Sequence, residues 1–211
     1  GDGVWDGGGE TVENRGGAFS VAGSAQFQCT TLQVGELDSA DASNYYNDAD
    51  FSVTSAHATA VKVTAVLYVY PDGVLLVDGA TFNLSGSSKK HEISSGGRLT
   101  VKTSSGSSQG VLKVGNKSVI GLEGVFGVQG RPGTDKEAKV ELYSGSDGYS
   151  IDVKTGGFLN ASRAEFDDLG GTGTSAIRIR NKARFMANQT SFEATSTFAG
   201  DSDNTILDLT Q

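Results

Sequence analysis

The residues of this sequence that could perform acid–base chemistry are carboxylates. Glu165 and Asp167 lie two positions apart, so on a β-strand both side chains would leave the same face, about 6–7 Å from one another. Two carboxylates at such a separation can act as acid and base in the cleavage of a glycosidic bond. The chain has 25 acidic residues in all, however, and acidic side chains are mostly solvated surface groups. A polysaccharide-cleaving enzyme is therefore the least favoured function, and we expect the protein not to be an enzyme.

The histidines and the cysteine complete no catalytic or metal-binding motif. His57 and His91 lack the spacing of a zinc site such as His-Glu-x-x-His. No nucleophile elbow accompanies them, and we interpret both as polar surface residues. Cys29 is the single cysteine, which excludes an intrachain disulfide. The sequence therefore predicts no catalytic residue and no cofactor-binding residue.

An acidic segment, residues 37–50, is the candidate metal site. Its Asp and Asn side chains offer the hard oxygen ligands that calcium prefers. The segment lacks the central glycine and terminal glutamate of an EF-hand loop, and a hydrophilic loop inserted between strands is the alternative interpretation. Calcium is thus the one candidate cofactor. The predicted ligands are Asp38, Asp41, Asp48 and Asp50.

The balance of charge argues against polyanionic partners. Asp and Glu outnumber Lys and Arg by 25 to 17, which gives a net charge of −8, whereas phosphate binding needs clustered cations. We therefore expect no nucleic-acid partner. We also expect no membrane insertion, because no apolar run approaches the ~18 residues that a membrane span needs. The one cationic cluster, residues 177–184, is expected to pair with carboxylates on neighbouring strands or on another subunit.

Four Asn-x-Ser/Thr sequons occur in the chain. Each is a candidate glycan acceptor in a secreted protein. Asn160 stands at a position that the repeat described below assigns to the interior, so we exclude it. The remaining candidates are Asn83, Asn116 and Asn188.

Short runs of alternating apolar and polar residues dominate the chain and predict an all-β fold. Residues 60–63, 66–69, 150–153 and 176–179 place Val and Ile on one face and polar groups on the other, as half-buried strands do. Glycine supplies 30 of the 211 residues and proline only 2, and turns rich in Gly, Ser, Asn and Asp separate the runs. We find no convincing helical period.

A repeated element makes this prediction more specific. It has apolar residues at positions i and i+2, a small residue at i+6 and a bulky apolar residue at i+8, which is typical of a strand, a tight corner and a strand. A second apolar pair precedes it by seven residues in three copies, and the copies at Ile151 and Ile177 start 26 residues apart. The element begins at Phe19, Val74, Leu112 and Phe158, and in a looser form at Arg184.

An interval of about 25 residues matches one rung of a β-solenoid. We therefore predict a single-domain parallel β-helix, or β-solenoid, with an acidic loop inserted at about residues 37–50. The interval of 13 residues from Leu99 to Leu112 does not fit one rung. A β-sandwich with many short strands is the alternative.

The glycine corners and the unit at residues 157–166, Gly-Phe-Leu-Asn-Ala-Ser-Arg-Ala-Glu-Phe, resemble right-handed parallel β-helices. That group includes bacterial surface and autotransporter-type proteins, phage tail fibres and spikes, and polysaccharide lyases. The opening at residues 4–9, Val-Trp-Asp-Gly-Gly-Gly, resembles the start of some autotransporter passenger repeats. The resemblance implies a binding or building role outside the cell or at its surface.

The two ends of the sequence predict where other molecules dock. We interpret the glycine-rich residues 1–16 as an N-terminal tail or donated segment, ahead of a solenoid domain over residues 17–211. The opening Gly1 in place of Met is typical of a mature, secreted chain. The last residues are typical of the first strand of a further rung, and an open rung exposes unpaired backbone groups and apolar core. The predicted assembly residues are Val4, Trp5, Val12, Ile206, Leu207 and Leu209.

An open end of this kind is a template for another copy of the same chain. The favoured hypothesis is therefore a structural subunit that assembles head to tail into an extracellular or cell-surface filament. The alternative is a carbohydrate- or receptor-binding module of a phage tail fibre or surface adhesin, with surface glycans as partners. Its candidate sugar-stacking residues are Tyr45, Tyr46, Tyr68 and Tyr70.

Overall fold

Every regular element described in the structure, a computed structural model, is a β-strand. The described residues are 3–36, 49–104, 108–133, 136–170, 175–194, 198–200 and 206–210, the last range by its backbone alone. No helix long and apolar enough to cross a membrane occurs among them. The all-β fold that the alternating runs predict is thereby confirmed.

The strands follow one another closely along the chain. In order, they are β1 (Val4–Asp6), β2 (Thr11–Asn14), β3 (Gly17–Val21), β4 (Gln26–Val34), β5 (Ala49–Val53), β6 (Val61–Val69), β7 (Gly73–Asp78), β8 (Thr81–Leu84), β9 (Lys90–Ile93), β10 (Arg98–Lys102) and β11 (Val111–Val114). They continue with β12 (Val119–Leu122), β13 (Val125–Gln129), β14 (Ala138–Leu142), β15 (Ser150–Val153), β16 (Phe158–Ser162), β17 (Ala164–Leu169), β18 (Ile177–Ile179), β19 (Arg184–Asn188), β20 (Ser191–Ala194), β21 (Ala199–Gly200) and β22 (Ile206–Thr210).

Parallel pairing joins these strands into a 14-stranded sheet and an eight-stranded sheet. The larger sheet contains two ladders, because the nine-residue strands β4 and β6 pair through their first and second halves with different neighbours. Ladder A joins β1, the first halves of β4 and β6, β8, β11, β14, β17 and β20. Ladder B joins β2, the second halves of β4 and β6, β9, β12, β15, β18 and β21. Ladder C is the smaller sheet, which joins β3, β5, β7, β10, β13, β16, β19 and β22.

The chain passes through the ladders in the fixed order A, B, C. Within each ladder, residues of similar type align from one strand to the next. Apolar side chains from all three ladders form one continuous buried cluster, for which the β-branched and aromatic residues of these strands are well suited. The aligned column of ladder A is Trp5, Phe27, Val61, Phe82, Leu112, Val140, Phe166 and Phe192. The corresponding column of ladder C includes Phe19, Phe51, Leu75, Leu99, Phe126, Leu159 and Phe185.

The sequence repeat predicts the buried positions of two ladder C strands, β7 and β16, wrongly by one residue. It assigns Val74 and Phe158 to the interior, but the buried residues are the following Leu75 and Leu159. Outward positions such as Val74, Leu76 and Phe158 are themselves apolar and half-buried, so alternation alone does not fix which face is inside. Asn160 is half-buried on the outer face. The repeat assigns it to the interior, and that reason for excluding it as a glycan acceptor is therefore wrong.

The interval of 13 residues that does not fit one rung also has a simple cause. Leu99 lies in β10 of ladder C, whereas Leu112 lies in β11 of ladder A. The interval therefore joins two different ladders, and it does not measure the repeat of either one.

Small residues occupy the corner that leads into ladder C, because the backbones of neighbouring strands approach closely there. A Cβ atom at Gly124 would clash with the carbonyl oxygens of Ser94 and Gly97, and one at Gly157 would clash with that of Leu122. These obstacles are backbone atoms, which cannot move aside without disturbing the ladder. The abundance of glycine thus follows partly from close strand stacking at this corner.

We predict that Gly124→Ala lowers the free energy of unfolding by about 1–3 kcal/mol, because the added methyl group overpacks the corner. The matched control is Gly9→Ala, where nothing lies within 4 Å of the added Cβ. Denaturant unfolding of both variants measures the difference. Equal stability of the two variants would contradict this account of the corner.

Candidate functional site

The two ends of the ladders leave strands that pair on one side only. Within the part of the chain that the structure describes, β1, β2 and β3 at the leading end pair only with β4 and β5. At the trailing end β20, β21 and β22 likewise pair only with β17, β18 and β19. Among the described strands, each ladder therefore has an open edge at both ends. An open parallel edge presents unpaired N–H and C=O groups to any strand of matching register.

Large exposed apolar side chains coincide with these open edges. Among the described residues they are Val4 (69 % exposed), Trp5 (46 %), Phe19 (41 %) and Phe198 (44 %). The first three lie on β1 and β3, and Phe198 directly precedes β21. The sides of the ladders carry no comparable group among the described residues, so the exposed apolar surface is concentrated at the ends.

The leading end contains an apolar pocket between ladders A and C. Its volume is about 210 Å³, and its walls include Val4, Trp5, Phe19, Ala25 and Phe27. The Trp5 ring stacks on Phe27 with centroids 4.7 Å apart, and Phe19 meets Phe27 edge to face at 5.5 Å. The rings of Trp5, Phe19 and Phe27 therefore line a pocket that is open on its outer side.

The trailing end presents aromatic rings between the same two ladders. Phe192 of ladder A stacks on Phe166 with centroids 5.1 Å apart. Phe198 meets Phe192 edge to face at 5.4 Å and lies over Phe185 of ladder C at 6.4 Å. Phe198 therefore lies against the end rings of ladders A and C with part of its surface exposed.

The end strands lack lysine and proline, two residue types that often protect a sheet edge. Lysine and proline on an edge strand discourage pairing with other chains. The sequences of β1, β2, β3, β20, β21 and β22 contain no Lys, Arg or Pro. Interior strands do contain lysine, for example Lys62, Lys113 and Lys139.

The predicted assembly residues lie at these two ends. Val4 and Trp5 are exposed on β1, whereas Val12 on β2 is half-buried and packs against the core. Within the predicted N-terminal segment, β1 and β2 pair with β4 of the same chain. Ile206, Leu207 and Leu209 belong to β22, which pairs in parallel with β19. Phe19 and Phe198 are not among the assembly residues predicted from the sequence, because the repeat does not show which apolar residues are exposed at an end of a ladder.

The predicted calcium ligands are mostly outside the described residues. Asp38, Asp41 and Asp48 lie there, whereas Asp50 is an exposed residue of β5. Where the structure describes the chain, no group of three or more His, Cys, Asp or Glu residues could hold a metal ion. Calcium binding therefore stays a prediction.

The three predicted glycan acceptors differ in accessibility. Asn83 is 2 % exposed and its Nδ2 atom donates a hydrogen bond to the Val61 carbonyl at 3.1 Å, so the folded chain gives a glycan no room there. Asn116 is half-buried and exchanges two hydrogen bonds with Asp147. Asn188 is exposed at the end of β19. Asn83 is therefore withdrawn as an acceptor in the folded chain.

The two candidate catalytic carboxylates, Glu165 and Asp167, take part in an ion-pair network on the outside of ladder A. The Lys139 ammonium lies 2.5 Å from Asp167, 3.4 Å from Glu165 and 3.3 Å from Glu141. Burial alone would lower the pKa of Lys139, but the hydrogen bond to Asp167 and the three negative charges outweigh burial and raise it. The network gives both candidate carboxylates an ion-pairing role.

The cationic cluster pairs across neighbouring strands in part as expected. Arg180 donates two hydrogen bonds to the Asp152 carboxylate, at 2.8 and 2.7 Å. Arg184 lies over the Phe158 ring, 4.5 Å from its centroid. These contacts connect the outer faces of neighbouring strands in ladders B and C.

The candidate sugar-stacking tyrosines are not arranged as an open platform. Tyr68 and Tyr70 stack on one another with centroids 5.6 Å apart and ring planes within 2°. Tyr70 is only 8 % exposed. Tyr45 and Tyr46 lie outside the described residues.

The interpretation of His91 as a surface residue is wrong. It is 1 % exposed in ladder B, aligned with Leu67 and Ile120. Its Nδ1 atom accepts a hydrogen bond from the Leu67 N–H at 3.2 Å, while Nε2 has no partner among the described residues. Burial, aided by nearby Lys89, lowers the pKa of His91 to about 4. His57, by contrast, is half-buried beside Gln26.

We predict that His91 makes the fold less stable as the pH falls from about 6.5 to about 4. The unfolded chain binds a proton in this window that the folded chain does not bind, which costs up to roughly 3 kcal/mol. In His91→Leu this contribution is lost, so the stability of wild type relative to the variant should decrease on acidification. Denaturant unfolding at several pH values measures it, with His57→Gln as the control. A constant difference between wild type and His91→Leu would refute the prediction.

Comparison with protein-family models, curated proteins and solved structures gives no match for this chain. Its function must therefore be inferred from the chemistry of the molecule itself. The described surface offers two apolar, aromatic ends with open strand edges, an arrangement suited to binding another β-structure.

Proposed function

We propose that the three ladders wind as one parallel β-helix, and that the chain is a structural subunit of a head-to-tail filament. The fixed order A, B, C supports the winding, because each return to a ladder adds a strand beside the previous one. A sandwich of antiparallel strands is not supported by the uniformly parallel pairing. The resemblance of residues 157–166 to surface β-helices supports a location outside the cell or at its surface.

The observation that carries the proposal is the match between the two ends. Among the described strands, the trailing end of ladders A, B and C consists of β20, β21 and β22. The leading end of the same ladders consists of β1, β2 and β3. A second copy stacked on the trailing end would therefore continue all three ladders without a change of order. Such a contact does not close on itself, and repeated copies give an open filament.

Stacking would also continue the aromatic column of ladder A. In register, Trp5 of one copy would lie over Phe192 of the copy before it, as Phe192 lies over Phe166 within one chain. Burial of these rings and pairing of three edges would act together at one interface. The carbohydrate-binding alternative has weaker support, because Tyr70 is only 8 % exposed and one face of Tyr68 stacks on it.

We predict that Val4→Lys weakens assembly by about tenfold or more, since it removes an apolar contact at the interface and adds a charge to an edge strand. The matched control is Thr81→Lys, because Thr81 occupies the same ladder position on the interior strand β8. Sedimentation velocity over a concentration series at physiological salt measures assembly.

Wild type and Thr81→Lys should form long polymers at concentrations where Val4→Lys remains small. If wild type stays monomeric at high concentration, the filament proposal is wrong. If both lysine variants lose assembly equally, the leading end is not the contact.

A further inference from the structure

We infer that two reciprocal contacts, each between a large side chain and a small one, hold neighbouring copies of the chain in a single orientation. In ladder B, Phe198 of one copy packs against Val12 of the next copy. In ladder A, Trp5 of that next copy packs against Ala194 of the copy before it. The inference rests on the proposed filament and names the residues that give its interface a direction and a register.

The register of ladder B places Phe198 at the trailing end of a buried column. Ala199 pairs with Arg178, so the preceding Phe198 is aligned with Ile177, which is fully buried. The Phe198 ring meets the ring of Phe192 in ladder A with centroids 5.4 Å apart. Phe198 therefore points toward the core, and it is the last described residue of its column.

Val12 occupies the opposite end of the same column, where it is half-buried and packs against the core. Between the two ends, the column consists of Leu32, Leu67, His91, Ile120, Ile151 and Ile177. When all three ladders of one copy continue those of another, Val12 therefore lies directly over Phe198.

The sizes of these two side chains depart from the rest of the column in opposite directions. Phe198 is the largest residue of the column and is 44 % exposed, whereas Val12 is the smallest. A phenylalanine and a valine together have about the volume of two isoleucines. The contact between copies would therefore fill its space about as well as Ile151 and Ile177 do within one copy.

Ladder A contains a second pair in which the large group comes from the other end. The Trp5 ring covers Gly7, since a Cβ atom on Gly7 would clash with the indole. In stacked copies Trp5 lies over Phe192, and Gly7 therefore lies over Ala194, two residues further along each strand. Ala194 is exposed and is aligned with the larger Leu169, so its small side chain leaves space for the indole.

The two pairs together specify how one copy is turned relative to the next. The leading end supplies the large group in ladder A and the small group in ladder B, and the trailing end does the reverse. A copy turned so that its ladder A continued ladder B of its neighbour would bring Trp5 against Phe198. Two large groups would overpack that contact, which disfavours the turned arrangement.

An exchange of side-chain size in ladder B tests the inference. Phe198→Val leaves a gap below Val12, and Val12→Phe overpacks the same contact, so each variant alone should need a concentration about tenfold or more higher for assembly. An equimolar mixture of the two variants should assemble where neither does alone. In an alternating polymer, every contact in ladder B joins a large side chain to a small one. Recovery on mixing also shows that both variants fold.

Matched changes of size away from the ends serve as controls. Phe158→Val and Val111→Phe alter half-buried positions on the outer faces of β16 and β11 and should leave assembly unchanged. Ala194→Leu tests the pair in ladder A at an exposed position. It should raise the concentration needed for assembly by about tenfold or more, because the leucine fills the space for Trp5.

Sedimentation velocity of the full chain separates the outcomes. Assembly of wild type, loss in Phe198→Val and in Val12→Phe, and recovery in their mixture support the inference. If wild type assembles and these variants assemble equally well, or if mixing restores nothing, the inference is overturned while the filament stands. Assembly of Ala194→Leu at the wild-type concentration would overturn the contact in ladder A. If wild type stays monomeric, both proposals fail.

Discussion

Constant register between parallel strands is the constraint on which this structure depends. Each strand lies beside an earlier and a later strand of its own ladder, and aligned residues such as Leu75, Leu99 and Phe126 stack in one column. A slip of one residue would turn the buried column of a strand outward. The glycine corner before ladder C and outer ion pairs such as Arg180–Asp152 act on the same register. The corner allows close approach of the backbones, and the ion pair links neighbouring strands of ladder B.

The same constraint applies differently to the end strands of each ladder among the described residues. An interior strand satisfies its backbone groups and buries its apolar column by pairing on both sides, whereas an end strand does so on one side. Trp5 is the visible result, since the rings aligned with it on interior strands of ladder A, such as Phe82 and Phe166, are fully buried. A partner that pairs with all three ladders at once must offer three parallel edges at the same spacing. Another copy of this chain meets that condition through its own ladders, in keeping with the proposed filament.

Sequence reasoning predicts the all-β class and two of the columns correctly. Leu67, Ile151 and Ile177 belong to one column of ladder B, and Phe27, Phe82 and Phe166 belong to one column of ladder A. These positions are readable because bulky apolar residues alternate there with polar ones.

Other features of the structure could not be predicted from the sequence, and each has a physical reason. The face of β7 and β16 is ambiguous because both of their faces carry apolar side chains. His91 occupies a core position because its ring supplies an acceptor to the Leu67 N–H, a need that arises only from the tertiary arrangement. Phe198 is exposed beside β21, which among the described strands pairs with β18 alone, and the spacing of the repeat does not reveal this.

The axial repeat of the assembled protein, measured by electron cryo-microscopy, tests the central claim most directly. Each ladder contributes eight strand segments per copy among the described residues, and neighbouring strands lie about 4.8 Å apart, so stacking predicts a rise of about 38 Å per subunit. A filament with this rise and strands perpendicular to its axis would agree with the account. A monodisperse monomer at high concentration, or a polymer in which subunits meet through the sides of the ladders, would contradict it.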